Sequence, residues 1–228
     1  MDIVYPLWSP SKHHNKELRY SIRSAWKHGK NLGKLWIVGM PIRFLHSRHI
    51  IPYDPSYRCK DVNNFGAALQ ACENPDVSDP FLLFNDDYFM LREFDANAIP
   101  AWYGDVPLFQ QKRSQKIFRK TLMFLGARGI KEPKFFDVHM PIPIHKACLL
   151  HSRPNDWQKR KFLSKMTYAN QCPELNPVKT LDCKIGIHCD LQAAKERFMF
   201  STSDYPAPDV WEYLEQQFPD PSPFEGKR

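Results

Sequence analysis

Two adjacent aspartates end an apolar run in the stretch "FLLFNDDYFM", residues 81–90. Two ionised carboxylates side by side repel each other, so Asp86 and Asp87 need a divalent cation or a set of hydrogen-bond donors. Mg²⁺ and Mn²⁺ take oxygen ligands, and Mg²⁺ commonly binds one or two carboxylates together with substrate phosphates. The stretch therefore predicts a metal site that neutralises a diphosphate leaving group. The plainer alternative is that one Asp caps the following turn and the other faces solvent.

Three further stretches carry side chains that could take part in such chemistry. His139 precedes "MPIP", which predicts an extended, rigid segment. A His fixed there could bind phosphate or act as a general base, although a lone His is more often structural. Asp182 and Lys184 alternate and would face the same side of a strand, where Lys184 could bind a diphosphate or pair with Asp182. Asp204, in "STSD", could complete the metal shell or cap the next turn.

The elements that would position these residues follow a regular order. "DIVYPLW" and "KLWIVG" are apolar and β-rich, which predicts two buried strands, and "FLLFN" predicts a third. Apolar residues at helical spacing separate the first two strands, and "GAALQAC" predicts a short helix before the third. This alternation is typical of an α/β domain with a mainly parallel sheet, in which ligands bind beyond the carboxyl ends of the strands. Asp86 and Asp87 would lie at such an end.

Length and composition indicate a folded domain of ordinary size. The chain has 228 residues, of which 43% are hydrophobic, so a sizeable core is expected. It shows no internal repeat and no Gly/Ser linker. The simplest prediction is one domain over 1–228, with a nucleotide-binding half at 1–91 and an elaborated acceptor-side half at 92–228.

The charge of the chain indicates an anionic partner without choosing one. The formal charge is +7, which suits a nucleotide, a phosphorylated substrate, DNA or an anionic surface. Two basic stretches, 110–129 and 156–170, are predicted to be helical. They are either solvated helices on the sheet or faces that contact a polyanion.

Cysteine usage and hydropathy indicate in which cellular compartment the protein is expected. The six cysteines form no CxxC pair and no dense framework, which is typical of a reducing cytosol. Cys183, His188 and Cys189 do not have the spacing of a structural zinc site, which needs four ligands. No run of 18 apolar residues predicts a membrane span, and the first residues lack a signal-peptide pattern. The sequence thus predicts a cytoplasmic protein, in the host cytoplasm if the protein is viral.

Five blocks, in order and over nearly the whole chain, resemble the Stealth family. That family is named for bacterial capsule-polymer phosphotransferases and includes the lysosomal-enzyme N-acetylglucosamine phosphotransferase. The chain is also similar to short, related glycosyltransferase-like proteins of phages and bacteria. The blocks are "DIVYPLW", "NKELRYSIRSAWKHGKNLGKLWIVG", "FLLFNDDYFM", "FDVHMPIPIHK" and "FMFSTSDYPAPDVWEYLEQQFPDPSPFE".

The resemblance implies a GT-A-like, Rossmann-like nucleotide-sugar-binding fold with Asp86 and Asp87 near a metal and phosphates. It also implies that His139 lies in the active site. Arg19 and Arg23 match the two arginines of the family's "LRxSLRS" motif. At i and i+4 they would share one helix face, where they could hold phosphates or form a surface pair beside Glu17.

One departure from the family bears on the reaction. Stealth enzymes carry a Glu in the helix before the Asp-Asp strand, whereas this chain has Gln70, which cannot act as a base. Either the geometry differs or the role passes to another residue, such as Asp61. Asp61, Asn63 and Asn64 could contact sugar hydroxyls or the metal shell.

The residues and the resemblance together predict a metal-dependent glycosyltransferase. With Mn²⁺ or Mg²⁺, it would move a sugar from a nucleotide-diphosphate donor to a hydroxyl acceptor. The anionic acceptor could be the modified bases of phage DNA, and a glycan or a protein are the alternatives. A Stealth-type sugar-phosphate transferase acting on a polysaccharide or glycan is the second hypothesis. A non-catalytic module that binds a polyanion is the third.

Overall fold

The computed structural model describes residues 1–7, 11, 13–54, 60–109, 111–159, 161–185, 191–203 and 206–226. In these residues the strands are β1 (Asp2–Leu7), β2 (Gly29–Lys30), β3 (Leu35–Gly39), β4 (Ile50–Pro52), β5 (Phe81–Leu83), β6 (Tyr88–Met90), β7 (Phe94–Asp95), β8 (Ala101–Tyr103), β9 (Ile142–Ile144), β10 (Pro177–Lys179), β11 (Lys184–Ile185) and β12 (Met199–Thr202). The α-helices are α1 (Lys16–His28), α2 (Lys60–Glu73), α3 (Lys112–Ala127), α4 (Lys146–Ser152), α5 (Ser164–Ala169), α6 (Leu191–Lys195) and α7 (Pro208–Gln217). Short 3₁₀ helices cover Ser47–His49 and Ala96–Ala98.

The central sheet has the strand order β4-β3-β1-β5-β9. The first four strands run parallel, and β9 is antiparallel to β5. The chain runs β1, α1, β3, α2, β5, so the predicted alternation and the predicted α/β class with a mainly parallel sheet are confirmed. A parallel strand pair needs a crossover, and α1 and α2 supply the two crossovers.

The two crossover helices cover opposite faces of the sheet. Successive side chains of a strand point to opposite faces. Tyr5 of β1 accordingly packs in one apolar cluster with Leu18 of α1, whereas Val4 packs in another with Phe65 of α2. Both faces of β1 are therefore buried, which explains why its sequence reads as a continuous apolar run.

The amino end of β1 is fixed by a buried aspartate. The carboxylate of Asp2 accepts hydrogen bonds from the Lys34 backbone N–H at 2.7 Å, the Trp36 indole N–H at 2.8 Å and the Ser78 backbone N–H at 3.1 Å. A Cβ at Gly33 would lie 2.3 Å from Asp2 Oδ1, so only glycine allows this approach. Asp2, the first residue of the opening block, thus ties β1, β3 and the loop before β5 together.

Two predicted helices differ in detail. Asn15 does not cap α1 through its side chain, because it adopts a left-handed conformation with φ 59° and its Oδ1 accepts the Ser11 N–H instead. The predicted helix over 156–170 is wrong for its first part, since within the described residues 156–159 and 161–170 only Ser164–Ala169 is helical. Trp157 packs against Phe65 with ring centroids 5.5 Å apart, and this anchoring favours a turn over a helix there.

The second half of the chain adds smaller sheets around the carboxyl edge. One has the order β11-β12-β6, and another pairs β10 with β8. Although β9 lies in the second half of the chain, it forms an edge of the central sheet. The division into halves at residue 91 stays a prediction. Among the residues that the structure describes, no helix has the length and apolarity to cross a membrane.

Candidate active site

The aspartate pair lies where the chain leaves the central sheet. The parallel pairing of β5 with β1 continues to Phe84, whose N–H donates to Val4 O at 2.9 Å. The N–H of Tyr88 then donates to Asn85 O at 3.3 Å and closes the turn that carries Asp86 and Asp87. From Tyr88 the chain enters the small sheet, where β6 runs antiparallel to β12. The pair therefore lies between two sheets, at the carboxyl edge of the larger one.

The two carboxylates lack full compensation for their charge. Burial, and then the neighbouring Asp87, raise the pKa of Asp86 to about 7. Burial also raises the pKa of Asp87, and the positive charges of His139, Lys184 and Lys60 oppose that change only in part. A partly buried oxygen-only donor set that holds excess negative charge fits Mg²⁺ or Mn²⁺. Asp204, the third predicted metal ligand, lies outside the described residues.

His139 lies at the same edge of the sheet, on the segment that leads into β9. β9 is antiparallel to β5, and Ile142 pairs with Leu83. The residues just before β9 therefore lie beside the residues just after β5. This register explains how His139 comes near Asp87, although the two are far apart in sequence.

A carboxylate holds the imidazole of His139. Its Nδ1 lies 2.9 Å from Asp182 Oδ2, and its backbone N–H donates to Asp182 Oδ1 at 3.1 Å. Lys184 Nζ donates to Nε2 at 3.3 Å. Because an ionised carboxylate can only accept, Nδ1 carries a proton, and in the neutral imidazole the lone pair of Nε2 accepts from Lys184. Burial acts to raise the pKa of Asp182, but the hydrogen bond and charge of His139 outweigh it and hold that pKa at about 2.

Lys184 is placed by the small sheet. It pairs with Ser201 of β12, and Ser201 pairs with Tyr88 of β6. These three residues form one row across the sheet, next to Asp87. The prediction left open whether Lys184 meets a diphosphate or pairs with Asp182. In the structure its ammonium contacts His139, and its charge lowers the pKa of Asp87.

A pocket of about 190 Å³ opens beside these groups. Its polar lining comes from α2, from the turn after β5, from the segment before β9 and from α5. Those residues are Lys60, Asp61, Asn64, Asn85, Tyr88, Asp137, His139, Ser164, Lys165 and Tyr168.

Two half-buried residues that the sequence did not indicate, Lys165 and Asp137, line one wall of the pocket, and their charges act on each other. The Lys165 ammonium donates to Tyr88 Oη at 3.1 Å, to Met140 O at 3.1 Å and to Val138 O. Burial lowers the pKa of Lys165, and the charge of Asp137 opposes this. Burial raises the pKa of Asp137, opposed by Lys165. Lys165 thus fixes the backbone on both sides of His139.

Residues predicted on α2 take different positions. Asp61 and Asn64 line the pocket, and Asp61 also lies 4.0 Å from Arg113. Asn63 is fully buried in the helix–sheet interface, so a contact with a sugar hydroxyl would need a rearrangement. Gln70 lies on the last turns of the same helix.

Arg19 and Arg23 face the C-terminal segment. Arg23 donates to both carboxylate oxygens of Glu225, at 2.7 and 2.9 Å, and to the carbonyls of Phe218 and Pro219. Arg19 lies 3.6 Å from the same carboxylate and stacks on Phe44 at 4.4 Å. We call Arg19, Arg23 and Glu225 the C-terminal clasp. The phosphate-binding role of both arginines stays a prediction, because in this arrangement they hold the chain terminus.

Some site residues could have been found from the sequence and others could not. Asp137 stands two positions before His139 in the same block, and Lys60 adjoins Asp61. Asp182 was noted only as a partner of Lys184, since nothing local links it to a His 43 residues earlier. Lys165 was hidden in a stretch whose basic residues suggested a solvated helix.

Comparisons with known proteins identify no family for this chain. No family model matches the chain, and no curated protein matches it. Among solved structures, the chain is similar to a glycosyltransferase involved in the glycosylation of the major capsid of PBCV-1. The two are 9% identical, the match covers 94% of this chain and 98% of that one, and the TM-score is 0.46. These values are too low to carry an inference about the site.

Proposed function

We propose that this chain is a metal-dependent glycosyltransferase with a GT-A-like fold that uses a nucleotide-diphosphate sugar as donor. One observation carries the proposal. The undercompensated pair Asp86–Asp87 lies at the carboxyl edge of a parallel sheet, where α/β proteins bind ligands. The same edge holds a carboxylate-oriented His and two lysines whose charges act on Asp87. The five blocks that resemble the Stealth family agree with this reading.

The donor diphosphate would bind between the aspartate pair and the lysines. Asp86 and Asp87 would hold the divalent cation, and Lys60 and Lys184 would contact phosphate oxygens. A bound Mg²⁺ or Mn²⁺ would supply charge neutralisation for the departing diphosphate. Lys184 already lies beside Asp87, so it needs no large movement to reach a phosphate there.

His139 would act on the acceptor as a general base. Asp182 would fix the ring so that Nε2 is the nitrogen that accepts a proton, in the manner of the carboxylate in a catalytic triad. When donor phosphates take up the ammonium of Lys184, Nε2 becomes available to an acceptor hydroxyl. The imidazole would then remove the hydroxyl proton as the oxygen attacks the sugar carbon. Asp182 is the positioning residue in this scheme, and its charge stabilises the imidazolium that forms.

Product analysis tests the proposal against the sugar-phosphate alternative. The full chain is incubated with UDP- and GDP-sugars and Mn²⁺, and the released nucleotides are separated. Release of UDP or GDP means sugar transfer, whereas UMP or GMP means sugar-phosphate transfer. Asp87→Asn should abolish release and His139→Ala should lower it by about 10²–10⁴-fold, whereas Asp76→Asn, an exposed aspartate on the loop before β5, should leave it unchanged. Turnover of no donor, with nucleotide binding retained, would favour a non-catalytic binding module.

The acceptor is proposed to be anionic, with DNA as the candidate to test. α3 exposes its cationic side chains at Lys112, Arg113, Lys116, Arg119 and Lys120. Its start lies beside the pocket through the contact of Arg113 with Asp61. Binding to duplex DNA should weaken with salt, with a slope of about −0.9 per phosphate contacted. Lys116→Glu with Arg119→Glu should reduce binding in fluorescence anisotropy, and Lys30→Glu, a cation outside α3, should not. Failure to bind at low salt would favour a glycan or protein hydroxyl.

A further inference from the structure

Two cysteines and a glutamate meet between α4 and the segment that follows α5. Cys148 lies on α4, and Cys172 and Glu174 follow α5. Glu174 Oε2 accepts from Cys148 Sγ at 2.8 Å and from Cys172 Sγ at 3.3 Å. All three potential ligand atoms lie within 4.8 Å of one another.

These atoms have the chemistry and spacing of zinc ligands. Thiolates select soft or borderline metals such as Zn²⁺ over Mg²⁺. A tetrahedral zinc ion with the usual bond lengths would hold its S and O ligands about 3.6–3.8 Å apart. The hydrogen-bonded atoms would therefore need to separate by less than about 1 Å to admit the ion. Cys172 is buried and Cys148 is partly buried, whereas Glu174 is exposed, so solvent reaches the cluster from one side.

We propose that Cys148, Cys172 and Glu174 form a zinc site. The fourth position would be taken by water or by the neutral imidazole of His145, a neighbour close enough to act electrostatically on Glu174. Both thiols would lose their protons to solvent as Zn²⁺ binds, because the thiolate is the ligand. The site is separate from the metal site proposed at Asp86 and Asp87.

The position of the cluster indicates what the zinc ion would do. Tyr168 Oη lies 3.5 Å from Cys172 Sγ, donates to Pro143 O at 3.0 Å and accepts the His145 N–H at 2.9 Å. Tyr168 and Leu149 both line the pocket. A zinc ion that joins α4 to the residues after α5 would therefore fix the wall of the pocket behind the substrate. Its role would be structural, because it would join α4 to the segment after α5, and neither carries Asp86 or Asp87.

Metal content and a cobalt spectrum test the site. The full chain is purified under reducing conditions without chelator, and bound zinc is measured by elemental analysis. Zinc is then replaced by Co²⁺, whose thiolate charge-transfer absorption reports sulfur ligands. We expect about one zinc per chain, the thiolate band with Co²⁺, and at least a tenfold loss of zinc affinity in Cys148→Ser and Cys172→Ser. Cys72→Ser and Cys183→Ser, at other buried cysteines, should bind as wild type does.

If the variants at Cys148 and Cys172 fail to fold, Glu174→Ala provides a second test of the zinc site. Glu174 is exposed, so its removal should leave the fold intact, and zinc affinity should still fall at least tenfold. The proposal is overturned if no zinc binds, if the Co²⁺ complex lacks the thiolate band, or if the variants at the cluster bind zinc normally. A disulfide between Cys148 and Cys172 in the reduced preparation would overturn it as well.

Discussion

The aspartate pair and the C-terminal clasp both combine acidic and basic side chains, but their charges balance differently. In the clasp, burial acts to raise the pKa of Glu225, yet the hydrogen bonds from Arg23 and Ser222 outweigh it and hold that pKa below its usual value. At the aspartate pair, burial raises both pKa values and the nearby cations do not offset it. Groups of the chain itself balance the charge of Glu225 in the clasp. The aspartate pair, in contrast, has too little positive charge around it to balance its two carboxylates.

This difference separates a structural cluster from a binding cluster. A carboxylate whose charge is satisfied by the fold contributes to stability at neutral pH. A buried carboxylate left undercompensated costs stability, and such perturbed groups concentrate at functional sites. Arg19 and Arg23 were singled out by their match to the "LRxSLRS" motif and could either hold phosphates or form a surface pair, and their contacts with Glu225 indicate a structural role. The comparison therefore predicts that variants of the site affect activity and variants of the clasp affect stability.

The largest expected effect is on turnover and comes from His139→Ala. A general base typically contributes about 10²–10⁴-fold, and we expect a loss of that size in donor consumption. Donor affinity and thermal stability should change little, because His139 is only partly buried. His151→Ala, an exposed His at the end of α4, is the control. Turnover within about threefold of wild type, well short of the general-base range, would make His139 structural.

The next effect is on stability and comes from Arg23→Ala. This change leaves Glu225 without its two closest hydrogen bonds, in a cluster where both side chains are largely buried. Removing one partner of such a pair typically costs about 3–5 kcal/mol. Thermal unfolding should show the loss, while nucleotide binding per folded molecule is retained. Lys27→Ala, on the exposed side of α1, should change stability by less than about 0.5 kcal/mol. Weaker nucleotide binding by folded Arg23→Ala would instead return Arg23 to a phosphate-binding role.

The third effect is a gain in stability, and it comes from Asp86→Asn. The folded-state pKa of Asp86 is about 7, above its usual 3.8, so the folded protein binds this proton more tightly than the unfolded chain. The stability that Asp86 contributes is therefore present below about pH 4 and is lost as the pH rises to 7. The Asn variant does not titrate, so in chelator-treated protein it should be more stable than wild type by about 2–4 kcal/mol at pH 8.

The control for that prediction is the pH dependence of the difference. At pH 5 wild-type Asp86 is protonated in the fold, and the advantage of Asp86→Asn should shrink by more than half. Asp76→Asn should show no such pH-dependent gain. If Asp86→Asn is no more stable than wild type at pH 8, other groups in the chain balance the charge of the aspartate pair, as they do for Glu225 in the clasp.

Local sequence patterns were enough to predict the order of strands and helices in the sheet. The side-chain partners that they missed depend on pairing between residues far apart in the chain. The order β1, α1, β3, α2, β5 followed from apolar runs and helical spacing, and it placed Asp86 and Asp87 at the sheet edge. The partnership of His139 with Asp182 depends on the antiparallel entry of β9 and on the small sheet, neither of which has a local signal. Arg23 was singled out by a motif match, but its partner Glu225 lies 202 residues further along the chain.

Metal-dependent nucleotide binding tests the central claim most directly. At a UDP or GDP concentration ten times its Kd, with Mn²⁺, stabilisation should be about 1.4 kcal/mol. For a chain of this size that raises Tm by about 3–6 °C. Nucleotide without metal should give little stabilisation, the Asp86→Asn, Asp87→Asn double variant should give none with metal, and Asp76→Asn should respond as wild type does. Equal stabilisation of wild type and the double variant by nucleotide and Mn²⁺ would contradict the assignment of the aspartate pair.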